Sequence, residues 1–162
     1  MSPRVYVPSS VRRLRAAVDH GVGPAPFPAH AVTAEVRAAL AGTGEEDCEY
    51  AVATAAGVAS VLQLDADEPA RRVVLAVDVS AVRALGAADP SAVEVAEVVP
   101  FHRVAAVLAD SVDAETAVAA AREALRAGSS DADRLLDRVT EHELGWWAGQ
   151  EVEHLLGDEG LG

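Results

Sequence analysis

The sequence predicts an α/β (or α+β) layered sandwich, in which a mixed sheet of about five or six strands is covered by helices. Short β-rich runs and helical runs alternate along the chain, an order that favours a sheet under helices over an all-α bundle. A unit of strand, polar turn and helix recurs in "RVYVPSSVRRL", in "RVAAVLADSVDAETAV" and, more loosely, in "LGWWAGQEVEHLL". The run "RRVVLAVDV" (71–79) is apolar on both faces, as suits a central strand.

Each element follows from local chemistry. "RVYVP" (4–8) is β-rich and stopped by Pro8. Ser9 or Ser10 then caps a helix with Val11, Leu14 and Val18 on one face and Gly21 past its end. "GVGPAPFPAH" (21–30) is a Pro/Gly loop that cannot be helical, and "AHAVT" (29–33) suits a short strand. Thr33 caps a helix from Ala34 to Ala41, with Val36 and Leu40 on one face and Gly42 closing it. Thr43 and Glu46 fit a capping box, and the acids at 45–49 suit the start of a buried helix running to about Leu62.

Further along, "VEVAEVV" (93–99) intersperses apolar and acidic residues as a half-exposed strand does, and "RVAAVLAD" (103–110) is a weaker, alanine-rich strand. Asp113 is placed to cap a long helix ending at Gly128, and Ser130 to cap another through Leu135, Leu136 and Val139. Residues 1–157 form one expected domain, followed by a flexible tail at 158–162. Hydrophobic residues make up 51% of the chain, but many are Ala and Val and only four are Phe or Tyr. The two Trp side chains therefore supply much of the available bulk.

Charge narrows the function classes. The net charge of −13 disfavours direct nucleic-acid binding, which needs cations to neutralise phosphates, and disfavours anionic membranes. It is unevenly spread: residues 1–42 carry +3 and the remainder −16. All 13 cationic side chains are Arg, so lysine Schiff-base chemistry is unavailable to this chain. The single cysteine, Cys48, lies in "EEDCEY", where carboxylates disfavour the thiolate, and it can form neither an intrachain disulfide nor a multi-Cys zinc site. "MSPRVYVPSS" lacks an apolar signal core and no stretch is apolar enough to span a bilayer, so a cytoplasmic protein is expected.

The candidate sites start from "HELGWWAGQE" (142–151). The zinc helix motif HExxH needs a second His where this chain has Trp146, and His154 falls about 120° away round a helix. If 143–148 is instead a strand, Leu144 and Trp146 share one face while Gly145 and Trp147 share the other. One indole then anchors the core and the other lies against a helix or a partner. The docking surface so defined comprises Tyr6, Trp146, Trp147 and Glu151.

The alternative reading uses carboxylates. Asp78 and Asp110 end strands, where α/β sheets bind ligands, and with Asp113 they are candidates to hold a divalent metal. Turn formation and helix capping explain each of these residues separately. His102 is a loop histidine with no nearby nucleophile or GxSxG elbow, "GTGEED" puts acids where phosphate would sit, and Arg71 and Arg72 read as solvated charge flanking a strand.

The ordered blocks "RVYVPSS", "EYAVATAA", "RRVVLAVDV", "VLADSVDAETAV" and "EHELGWWAGQE" resemble an uncharacterised actinobacterial family of unknown function. Its members open on an RVY-hydrophobic-Pro strand and carry His-Glu-Leu plus an aromatic pair near the C-terminus. The resemblance implies no activity, cofactor or catalytic residue. The leading expectation is a non-enzymatic binding or regulatory domain without a cofactor, which meets a protein partner or self-associates through an alanine-rich helix face. The rival is a small divalent-metal-dependent hydrolase or transferase.

Overall fold

The computed structural model describes residues 2–158, so the tail expected at 158–162 lies outside the described residues except for residue 158, which ends the last helix. Among the described residues, seven strands, β1 (Arg4–Ser9), β2 (Phe27–His30), β3 (Val73–Asp78), β4 (Arg83–Ala84), β5 (Ala92–Val95), β6 (Val104–Ala109) and β7 (Gly145–Ala148), form one sheet. Six α-helices accompany it: α1 (Val11–His20), α2 (Ala34–Ala39), α3 (Glu45–Leu62), α4 (Glu115–Arg126), α5 (Ala132–Thr140) and α6 (Val152–Asp158). The strand order is β4-β5-β2-β1-β3-β6-β7, and every neighbouring pair is antiparallel. The layered α/β class is as expected; the sheet has seven strands and is antiparallel throughout rather than mixed.

Side chains alternate across this sheet, and each face has its own cover. Val5 and Val7 of β1 and Val73, Leu75 and Val77 of β3 point to one face, beneath Val11, Leu14 and Ala17 of α1 and Val152 and Leu155 of α6. Tyr6, Val74, Ala76 and Ala106 point to the other, beneath Val36 of α2 and Cys48, Val52 and Ala56 of α3. A third cluster joins Val61 near the end of α3 to Val118 and Ala121 of α4 and Val139 of α5. Helix α3 thus lies between the sheet and other helices, which is why so much of its circumference is small and apolar. β3 is buried on both faces because both helical layers reach it.

The helix starts are partly as read. The Ser10 hydroxyl accepts from the Arg13 N–H and that of Thr33 from the Val36 N–H, each satisfying a first-turn donor. At α3 the capping residue is Gly44, and the Asp47 carboxylate accepts its N–H; the Thr43 hydroxyl instead donates to the Leu40 carbonyl. Asp113 and Ser130 do not cap: Asp113 lies in a 3-10 turn leading into α4, and α5 starts after Asp131 without a side-chain cap.

The connection between β3 and β6 is held by an ion pair that the sequence reading placed in solvent. Arg72 is buried, and its guanidinium donates to Asp110 through Nη2 at 2.7 Å and Nε at 3.0 Å. The Arg72 backbone N–H donates to the same carboxylate at 2.8 Å, and Nη2 also donates to the His142 carbonyl. Satisfying several donors and both carboxylate oxygens is what allows two charges to sit away from water. Arg71, also buried, lies 3.8 Å from Glu115.

Candidate functional site

A wide concavity lies beside α1. The stripe Arg13, Ala16, Ala17 and His20 recurs at i, i+3, i+4 and i+7, so these residues share one helix face and form a wall. Two alanines in its middle leave space, and the opposite wall is the loop carrying Pro24 and Pro26 with Pro28 of β2 beyond it. Phe27 and Val7 supply apolar floor, while Ser9 and Gln63 stand at the Arg13 end. This open cleft has a volume of about 900 Å³, in the range of small-molecule sites.

Gly21 makes the turn that sets these walls facing each other. Its φ of +86° lies in the left-handed region, its N–H donates to the Ala17 carbonyl, and an added Cβ would fall 2.8 Å from the Val99 carbonyl oxygen. The proline-bearing stretch then bends through residues 24–26 before the chain enters β2, and its prolines keep it from continuing the helix. The sequence reading saw "GVGPAPFPAH" only as a loop. The usable signal was the small-residue stripe of α1 next to it, which carries polar groups at its two ends.

The Arg13 side chain donates through Nη1 to the Gln63 side-chain oxygen, a neutral acceptor. Its neighbour Arg12 is held by Asp65 and Asp67 at 3.4 and 3.0 Å. No Asp or Glu lines the cleft among the described residues, although the chain has 26 acids against 13 Arg.

The expected docking residues are not one surface. Trp146 is 66% exposed on the edge strand β7, while Trp147 is partly buried against the α1/α6 core, so the indoles divide between the faces as strand alternation requires. Tyr6 is a correction: it is buried beneath α2 and α3, and burial, followed by the charge of Glu49, raises its hydroxyl pKa above the usual value. Its register partners run Ala76, Ala106, Ala148, which puts it three strand spacings from β7, about 14 Å. Glu151 accepts the Ala148 N–H at 2.8 Å, closing the end of β7. The segment 142–146 is not helical, which removes the geometry of a zinc helix.

The carboxylates of the metal reading are likewise kept apart. Val73 pairs with Ala109, so β3 begins where β6 ends, and Asp78 lies five residues away at the other end, about 17 Å along the strand. Asp78 pairs with Arg4 at 3.0 Å, Asp110 is committed to Arg72, and Asp113 is exposed in its turn. Antiparallel pairing is the reason, because successive strand ends then alternate between two rims. Among the described residues no group of three or more His, Cys, Asp or Glu is placed to hold a metal ion.

One polar cluster escaped the sequence reading. His30 on β2, Asp89 and Ser91 come together, with Ser91 Oγ 2.8 Å from His30 Nδ1 and donating to Asp89 Oδ1 at 2.6 Å. His30 Nδ1 also lies 3.4 Å from Asp89 Oδ2, so serine and carboxylate both meet the same ring nitrogen in a closed triangle. The one proton of the serine hydroxyl is directed at the carboxylate, and Ser91 is only 3% exposed. A nucleophilic triad places histidine between the other two, so this cluster does not have the geometry of one. It ties the loop before β5 to β2, together with the Thr33 hydroxyl, which donates to the Pro90 carbonyl at 2.7 Å. Burial lowers the His30 pKa below 6.5, and the nearby Asp89 charge only partly opposes this.

No helix of the described residues is long and apolar enough to cross a membrane. Neither the curated proteins nor the solved structures contain a match to the chain. A family model does match, across residues 3–156, and the chain therefore belongs to that family, the family of unknown function DUF6912.

Proposed function

We propose that the chain is a non-enzymatic binding domain of the cytoplasm and that its ligand site is the cleft between α1 and the 21–26 loop with the start of β2. The observation that carries this reading is the cleft itself: about 900 Å³, apolar along its length, with polar groups gathered at its ends. Such a shape favours burial of an apolar body while a few polar atoms orient it. The test is titration with Nile red, a neutral apolar dye. Saturable binding that disappears in Ala16→Trp, a substitution at an exposed position of the cleft wall, is the expected result. Equal binding by both proteins, or by neither, sinks the reading.

The exposure of Trp146 favours a second reading, in which the β7 edge meets a protein partner. A second copy of the chain is the occupant open to direct test. Sedimentation at increasing concentration should then show a dimer that Trp146→Ala removes, and a monomer throughout excludes self-association.

A further inference from the structure

We infer that the cleft is built for an apolar monocarboxylate, its chain lying along Ala16, Ala17 and Phe27 and its carboxylate at Arg13. This rests on the reading of the cleft as a ligand site and adds the chemistry of the ligand. The argument starts from charge. In a chain with two acids for every Arg, Arg4, Arg12, Arg37, Arg72, Arg83 and Arg103 all have carboxylate partners. Arg13 has the side-chain amide of Gln63 instead and, unlike Arg15 and Arg122, which donate to backbone carbonyls, it lines the cleft. A guanidinium with a neutral partner keeps its charge uncompensated and its remaining N–H donors available, and its fork matches a carboxylate.

Position reinforces charge. Arg13 lies in the first turn of α1, so the positive end of that helix dipole adds to the field at the same end of the cleft. The Ser9 and Gln63 side chains at that end supply further polar groups, and no acid lines the walls among the described residues. From Arg13 the apolar stripe runs to His20, two helical turns or about 10 Å away, so a medium-length alkyl chain can lie along it. A cationic ligand would meet the guanidinium head-on, and a wholly neutral one would leave it unanswered.

Calorimetric titration of the intact chain with octanoate, octanol and octylamine separates the possibilities. The expected result is octanoate binding about tenfold or more tighter than octanol, the worth of a charge-assisted hydrogen bond, with octylamine weakest. The net charge of −13 attracts the amine, so a preference for octanoate has to come from the site. In Arg13→Gln, octanoate should fall to the octanol level while octanol is unchanged; Arg13 is exposed, so the fold does not depend on it. Octanol and octanoate binding equally, or octylamine binding best, overturns the carboxylate inference and leaves the cleft reading standing. If none of the three binds, the cleft reading falls with it.

Discussion

The guanidinium of Arg72 and the carboxylate of Asp110 meet at 2.7 Å with side chains 2% and 0% exposed, where β3 begins and β6 ends. Around them the backbone closes the same join, since the Asp110 N–H donates to the Arg72 carbonyl at 3.1 Å. Nη2 reaches on to the His142 carbonyl, which ties the segment before β7 to the same pair. Gly57 of α3 faces the guanidinium: a Cβ there would stand 3.5 Å from Nη1, an ordinary van der Waals contact.

Removing one member of this pair strands the other charge in a dry site. Arg72→Met and Asp110→Leu are each expected to destabilise the fold by about 3–5 kcal/mol. The double variant should cost clearly less than the two together, because it leaves no orphaned charge. Urea unfolding of the four proteins in a double-mutant cycle measures this, and strict additivity would contradict it.

Ser60 is a buried hydroxyl with two backbone partners. Its Oγ donates to the Ser9 carbonyl at 2.8 Å and accepts the Val73 N–H at 3.2 Å, joining α3 to β1 and β3. Ser60→Ala leaves both backbone groups without that partner, and a loss of about 1–3 kcal/mol is expected from thermal or urea unfolding. A change within a few tenths of a kcal/mol would show that water or backbone adjustment takes over.

His30 makes stability depend on pH in a direction that follows from its lowered pKa. The unfolded chain takes up a proton near 6.5, whereas the folded chain resists until lower pH. Stability from this group is therefore complete above 6.5, falls as pH drops from there through the folded pKa, and is flat below. His30→Gln should flatten that step in unfolding free energy measured against pH; an unchanged step assigns it to another group.

The two indoles should behave differently. Trp146→Ala removes an exposed ring and should change stability by about 0.5 kcal/mol or less, while Trp147→Ala opens a gap against the α1/α6 core and should cost about 2 kcal/mol or more. With Trp147→Phe leaving only Trp146, fluorescence should be quenched readily by acrylamide; with Trp146→Phe leaving only Trp147, it should be protected. Equal quenching would mean that β7 does not divide its faces in solution.

Much of the local structure was legible because its causes lie within a few residues. Ser10 and Thr33 cap their helices through the N–H three residues on, Gly21 ends α1, and the apolar run at 73–78 becomes a strand buried on both sides. Period-2 alternation alone separates Trp146 from Trp147. What the tertiary structure decided depends on pairing between segments far apart. Antiparallel neighbours send Asp78 and Asp110 to opposite rims, which no local pattern reveals, and the order β1-β3-β6 puts Tyr6 inside. Arg72 is an ordinary strand-flanking cation until Asp110, 38 residues on, arrives to bury it. The cleft is the same kind of outcome: its stripe and its prolines are written in the chain, but a cavity exists only where two walls are held apart. Caps, turns and periodicity are short-range energies that the sequence by itself determines, whereas burial, charge pairing and the shape of the cleft are set when distant segments share one sheet.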